Sequence, residues 1–206
     1  MNEIERLLQR WKAAREGGRQ LFIGIGGGSA SGKTTIADEI RERLAPLRVE
    51  AINQDRFFKP AGELPTYFSE VRAEHRPDYN RPDSFDCEEM FSYCRAVNGF
   101  DVVILEGILA LYYAELRELM DIKCYVPADA DERIVRRIRR NLPRSSFDEI
   151  TDYYLESVRH QHERYNAPTQ RHADLVIPGG MADAAERRAV LDALCRAIRR
   201  AFDLPA

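Results

Sequence analysis

Residues 24–35 read GIGGGSASGKTT, and from Gly27 they satisfy the spacing G-x-x-x-x-G-K-T. Such a stretch is built to cradle a triphosphate. Several backbone N–H groups must point at the phosphates together, and side chains would obstruct that approach. Gly27, Gly28 and Gly32 carry none and tolerate positive φ. A helix beginning directly after the loop adds unpaired N–H groups and the positive end of its dipole. Lys33 then reaches the β- and γ-phosphates, and the Thr34 hydroxyl ligates magnesium. A glycine-rich turn with a chance Gly-Lys would need no particular flanks. Here a short apolar run, residues 21–25, precedes the loop, and Ile36, Ile40 and Leu44 follow it at helical spacing. The loop therefore joins a strand to a helix, and the chain is expected to bind a nucleoside triphosphate.

Two acids and a run of arginines extend that chemistry. Asp55 follows the apolar run 49–52 within NQDRFFKP, and Glu106 closes the run 102–105 within FDVVILEG. If both runs are strands flanking the first, both carboxylates emerge beside the phosphate loop. With Lys33 and the Thr34 hydroxyl they would make a magnesium site and a candidate base. Alone, Asp55 could cap a turn and Glu106 could structure the bend at Gly107; their place at strand ends favours the chemical reading. Farther on, Arg133, Arg136, Arg137, Arg139 and Arg140 crowd one stretch. Helical spacing puts Arg133, Arg136, Arg137 and Arg140 on one broad face and Ile134, Val135 and Ile138 on another. Clustered like charge is costly unless an anion lies near, and the planar guanidinium fork suits phosphate. A mobile lid over the triphosphate is expected, with Arg136 counted among the nucleotide contacts.

Holding these groups requires a scaffold, and the pattern supplies one. Five short apolar runs, at 21–25, 49–52, 102–105, 122–126 and 175–177, alternate with helical patterns. That alternation predicts an α/β fold with a five-stranded parallel sheet flanked by helices. Ligands of such sheets bind beyond the carboxyl ends of the strands, where the loop, Asp55 and Glu106 lie. The 206 residues suit one domain, and no repeat or low-complexity linker divides them. A net charge of −3 argues against a nucleic-acid binder driven by a basic field. No apolar run approaches a membrane span, and the charged N-terminal stretch has no apolar core of a secretory signal. Ile4, Leu7, Leu8 and Trp11 repeat at helical spacing, which predicts a helix packed on the domain edge. Cys87, Cys94, Cys124 and Cys195 show no C-x-x-C spacing and read as thiols of a reducing, cytoplasmic setting.

At this point the stretches GGGSASGKTT, NQDRFF, RPDSFD, DVVILEGILALYY, YVPADADERIVRRIRRN and HADLVIPGG, in that order between about residues 21 and 180, resemble the uridine–cytidine kinases within the uridine kinase and phosphoribulokinase group. The resemblance implies the three-layer P-loop fold of nucleoside kinases with an arginine-rich lid. It also implies ATP and Mg2+ as cofactors and transfer of the γ-phosphate to a primary hydroxyl. Carried over, Gly27, Gly28, Ser29, Ala30, Ser31, Gly32, Lys33, Thr34 and Thr35 hold the phosphates, with Thr34 on magnesium. Asp55 orients and deprotonates the acceptor hydroxyl, Glu106 assists at the metal, and Arg137 and Arg140 are lid arginines. Phe58 stands where the family often has a tyrosine near the nucleoside. Tyr79 stands where nicotinamide riboside kinases stack the base, and Asn80 replaces the aspartate that grips the ribose. The implied layout is one kinase domain over 1–206, with an N-terminal helix at 1–20, an acceptor segment at 56–86 and a lid at 131–150.

Departures from the family pattern bear on the acceptor. Only residues 87–100 lie between RPDSFD and the third strand, so the family's base-reading hairpin is missing. Ser145 and Phe147 fall where further lid arginines are common. The polar segment 59–86 forms the acceptor pocket in this reading, with Arg72, Arg76 and Arg81 also suited to a phosphorylated or acidic acceptor. A nucleoside is the expected acceptor, with nicotinamide riboside or a sugar phosphate as alternatives. An ATP-binding regulatory module is the non-enzyme alternative. The absence of Asn-Lys-x-Asp and of an LSGGQ-like stretch weighs against a GTPase switch and a transporter ATPase. The expected partners are a small-molecule acceptor and, from the oligomeric habit of uridine kinases, a homo-oligomer, with no nucleic acid and no membrane.

Overall fold

Hydrophobic runs of different strength sort themselves into central and outer strands. In the computed structural model, which describes residues 3–14 and 19–205, β1 (Leu21–Gly27) and β5 (Val102–Gly107) are buried along their whole length. They pair in parallel at the middle of a five-stranded sheet of order β2-β5-β1-β6-β7. The other strands are β2 (Val49–Asn53), β6 (Ile122–Val126) and β7 (Leu175–Val176). Of the two runs taken as flanking the first, only the third does so: β5 lies between β1 and β2. The reason is composition. VVILEG is apolar on both faces and suits a central position, whereas VEAIN leaves most of its residues half-exposed and takes the edge.

Alternation along the strands divides the core into two layers. Leu21, Ile23, Ile25, Val102 and Ile104 join one buried cluster with Ile36 and Ile40 of α2 (Lys33–Arg43), Leu191 and Leu194 of α8 (Ala184–Ala201), and Trp11 of α1 (Glu3–Ala13). Phe22, Val103 and Leu105 point the other way, against Met90 and Cys94 of α3 (Cys87–Ala96) and Leu116 of α4 (Ala114–Leu119). The N-terminal helix expected over 1–20 is described from Glu3 to Ala13; residues 1, 2 and 15–18 lie outside the described residues. All four cysteines are free, three of them buried. Among the described residues no helix is long and apolar enough to cross a membrane.

Two features escaped the periodicity. An antiparallel hairpin, β3 (Thr66–Ser69) with β4 (Glu74–Pro77), stands in the acceptor segment. Its strands TYFS and EHRP are largely exposed and carry no apolar alternation to announce them. After helices α5 (Ala130–Asn141) and α6 (Phe147–Tyr153), in the stretch expected to form a lid, the chain stays helical through two π-turns, Tyr154–Val158 and His162–Asn166, around the short α7 (Arg159–Gln161). The connection from α3 to β5 is only residues 97–101, so no hairpin stands there.

Trp11 anchors α1. It is 2% exposed, its ring lies 5.0 Å from that of Phe202, and its Nε1 donates to the Gln20 carbonyl at 3.2 Å. Trp11→Ala should cost about 3–5 kcal/mol of unfolding free energy in urea titrations. A loss below about 1 kcal/mol would show that α1 contributes little to the core.

Candidate active site

The phosphate loop is shaped by what its backbone must avoid. Gly32, at φ 104°, sits immediately before α2, so the helix begins at Lys33 with its N-terminus open to a cleft of about 610 Å³. Residues 29–36 line that cleft together with Asp55, Glu106, Arg136 and Arg140. Lys33 is 7% exposed, and its ammonium donates to the Gly28 carbonyl at 2.9 Å. Burial pushes its pKa below the ordinary lysine value, against the pull of Glu106 and Asp55. The Thr34 hydroxyl donates to Glu106 Oε1 at 2.9 Å. Burial raises the Glu106 carboxyl, with Lys33 and Thr34 opposing the shift.

Strand register brings the acids together. Asn53 pairs with Glu106 across β2 and β5, and Ile25 pairs with Glu106 across β1 and β5. Asp55 follows in a 3-10 turn, Gln54–Phe57, where the Asn53 carboxamide accepts the Asp55 N–H at 2.7 Å. Asp55 therefore reaches the cleft although its strand is one place farther out than expected. Desolvation in the cleft raises its carboxyl, while Lys33 and Arg140 pull it down.

The arginines divide among several tasks. Arg136 donates to the carbonyls of Ala30 and Ser31 at 3.4 Å, to Gly179 at 2.9 Å and to Glu132 at 3.0 Å, tying α5 to the loop. Arg137 donates to the Ser29 hydroxyl at 2.9 Å and lies over the Tyr153 ring at 5.3 Å. Arg140 lines the cleft and bonds Asn141 at 3.3 Å. The four arginines that spacing puts on one face all turn to the loop or the cleft, and the surprise is depth: Arg133 is only 4% exposed, while Val135 on the other face is 45% exposed. Arg133 is drawn under the loop. Its Nε donates to the Ala128 carbonyl at 3.1 Å, and a Cβ on Gly28 would stand 2.7 Å from its Nη1 and 3.0 Å from His162.

On the acceptor side, Phe58 stacks on Phe85 at 4.5 Å and meets Tyr79 edge-on at 5.2 Å. Arg81 lines neither the cleft nor the hollows beside it, because its guanidinium forms a fork with Asp83 at 3.0 and 2.7 Å. Asn80 is buried beside Gly28 and Ser29, and its amide donates to Asp78 at 3.3 Å and to the Tyr153 hydroxyl at 2.8 Å. Sequence reasoning counts Asp78 only among the polar residues of segment 59–86, too polar for core, yet it is buried and is the hub of this region. Fully buried, it also accepts from the Asn80 N–H, Ser157 and Gln161, each at 2.9 Å. Ser157, His162 and Asn166 come from the two π-turns and Gln161 from α7 between them, and Asn166 donates to the Gly27 carbonyl at 3.0 Å. The one available signal was the Asp-x-Asn spacing of residues 78 and 80.

Known proteins resemble the chain in sequence and in fold. Residues 68–185 match the model of the Phosphoribulokinase / Uridine kinase family. Uridine kinase-like protein 3 of Arabidopsis thaliana is 35% identical over 193 residues, covering 80% of this chain and 40% of that longer protein. Uridine kinase of Clostridium botulinum is 34% identical over 189 residues, covering 79% of this chain and 89% of its own length. Phosphoribulokinase from Rhodobacter spheroides shares the fold, with a TM-score of 0.59 at 14% identity over 79% of this chain and 71% of that one.

His162 offers a test of the layer beneath the loop. Burial, with Arg133 and Lys33 nearby, lowers its pKa from 6.5 to about 4. The unfolded imidazole takes its proton first, so the stability contribution is whole above about pH 6.5 and is lost as the pH falls to about 4. Unfolding free energies of wild type and His162→Gln, measured across that window, should diverge, with the variant less pH-dependent. Parallel curves would mean that the imidazole titrates in the native state as it does in water.

Proposed function

The chain belongs to the phosphoribulokinase/uridine kinase family and is a phosphotransferase with an alcohol acceptor; from that premise we propose that it moves the γ-phosphoryl group of ATP to the 5′-hydroxyl of a nucleoside. The observation that carries this reading is the convergence of Lys33, the Thr34–Glu106 pair and Asp55 on one cleft, with the Asp78-held Asn80 beside the same loop.

In this reading the backbone of residues 27–35 and the Lys33 ammonium hold the β- and γ-phosphates. Thr34, Asp55 and Glu106 form an all-oxygen set that suits magnesium. When bound, magnesium supplies charge neutralisation on the phosphoryl oxygens. Asp55 accepts the proton of the acceptor hydroxyl and aligns that oxygen for in-line attack. Arg137 and Arg140 offset the charge of the migrating group. Asn80 retains a grip on hydroxyls without a formal charge. Both of its amide hydrogens are taken, by Asp78 and Tyr153, so its Oδ1 is the atom left to accept from a ribose diol.

A phosphorylated acceptor is less well served. Of the three arginines suited to it, Arg81 pairs with Asp83 and Arg72 with Asp152 at 3.5 Å. Only Arg76 keeps a loose partner, Glu74 at 3.8 Å.

ADP release with ATP and magnesium, measured across uridine, cytidine, nicotinamide riboside, ribose and ribulose 5-phosphate, tests the proposal. Turnover with a nucleoside is expected, and Asp55→Asn should lower kcat by roughly 10²–10⁴ while ATP binding holds. Turnover confined to the sugar phosphate, or an undiminished Asp55→Asn enzyme, would overturn it.

A further inference from the structure

A second hollow, about 320 Å³, opens between the β3–β4 hairpin and the lid helix α6. Tyr67 and Arg76 face each other across the hairpin in register and form one wall. Tyr79, Tyr153 and Arg137 form the other. The hollow adjoins the site given above to the ribose, because the Tyr153 hydroxyl accepts both the Tyr79 N–H at 3.1 Å and the Asn80 amide at 2.8 Å. A sugar held at Asn80 thus has its base side within reach of Tyr79 and Tyr153. Arg137 connects the hollow to the phosphate loop through Ser29, and its Nε is buried with no partner.

The walls select a chemistry. Tyr67 and Tyr153 lie against each other at 5.8 Å with 26° between their planes, a contact that a planar ring would replace by sliding between them, as bases stack on aromatic side chains. Arg76 and Arg137 are donors only, so they match carbonyl oxygens on the ring edge and oppose a positively charged ring. The carboxylate in the wall, Glu149, gives one oxygen to the Ser146 N–H at 3.3 Å, the capping bond that starts α6. Among the described residues Arg76 forms one ion pair, with Glu74 at a loose 3.8 Å, which leaves its guanidinium able to turn to a ligand.

We propose that this hollow is the base-reading subsite, that Tyr67 and Arg76 are its specificity-determining residues, and that it takes an uncharged, carbonyl-bearing ring such as uracil in preference to a cationic pyridinium. The inference rests on the nucleoside-kinase reading above. It gives the hairpin β3–β4 a task, and residues 97–101 run from α3 to β5 with no hairpin of their own.

The test is steady-state kinetics with uridine and with nicotinamide riboside. Tyr67→Ala and Arg76→Ala should each raise the KM for uridine about tenfold, equivalent to about 1.4 kcal/mol, with a much smaller change in kcat. The KM for ATP should hold, which shows that the variants are folded. Tyr67→Phe keeps the ring and should keep the wild-type KM. Arg76→Glu should shift the ratio of kcat/KM values toward the pyridinium nucleoside by at least tenfold. If uridine is turned over but its KM is indifferent to Tyr67→Ala and Arg76→Ala, the hollow does not read the base and this inference alone falls. If wild type accepts no nucleoside, the functional reading fails and the inference falls with it.

Discussion

Buried positive charge without a carboxylate partner is the constraint around which this structure is organised. Lys33 and Arg133 are almost fully enclosed, and among the described residues neither forms a salt bridge. Each is held instead by a single backbone carbonyl, Gly28 for the ammonium and Ala128 for the guanidinium. An unpaired buried charge is expensive, and pairing it internally would remove the affinity that a polyanion site needs. The protein accepts that cost and manages its consequences locally. His162, beside Arg133, stays neutral in that field, and Arg136 is spent on the carbonyls that shape the loop. The acids that could quench the lysine, Glu106 and Asp55, influence it from the cleft while Glu106 takes its hydrogen bond from Thr34.

The second organising element is a carboxylate with the opposite task. Asp78 gathers four donors from two parts of the chain, and none of them is cationic. Hydrogen bonds to a charged acceptor are stronger than neutral ones, so this cluster rigidly joins the acceptor segment to the helical stretch that follows the lid. That stretch also inserts Asn166 beneath Gly27. One continuous piece of helix therefore touches both the phosphate loop and the acceptor loop. Its two π-turns are what let residues spaced four and five apart do so, by adding a residue to the turn where Ser157 and His162 project.

These two devices explain what was legible in the sequence. The phosphate loop was readable because it is local: eight consecutive positions carry both the geometry and the chemistry. Asp55 and Glu106 were readable because strand ends converge in a parallel sheet, and both arrive at the cleft despite the misplaced order of β2 and β5. The order itself depends on which run is apolar on both faces, a tertiary property that alternation alone does not rank. The burial of Arg133 was not legible because helical spacing assigns faces but cannot say how deeply a face turns inward. The hairpin β3–β4 went unseen because its residues bury little and pair mainly through the backbone. Asp78 resembled any turn aspartate until its partners, some eighty residues away, were folded against it.

Arg137 shows how the parts combine. Its guanidinium bonds Ser29 in the phosphate loop, covers the Tyr153 ring in the acceptor hollow and leaves one N–H unsatisfied. Burial already lowers its pKa from the free value, a sign that the charged form lacks solvation where it sits. Such a group gains most from a ligand that brings an acceptor atom to the unsatisfied N–H, because the desolvation cost is already met in the free protein. Under the proposed reading, ligands at the loop and at the hollow would both border this one side chain, so each would alter the environment that the other meets. A kinase that must transfer to a hydroxyl and not to water needs that dependence, since phosphate and acceptor have to be in place together before the site excludes solvent.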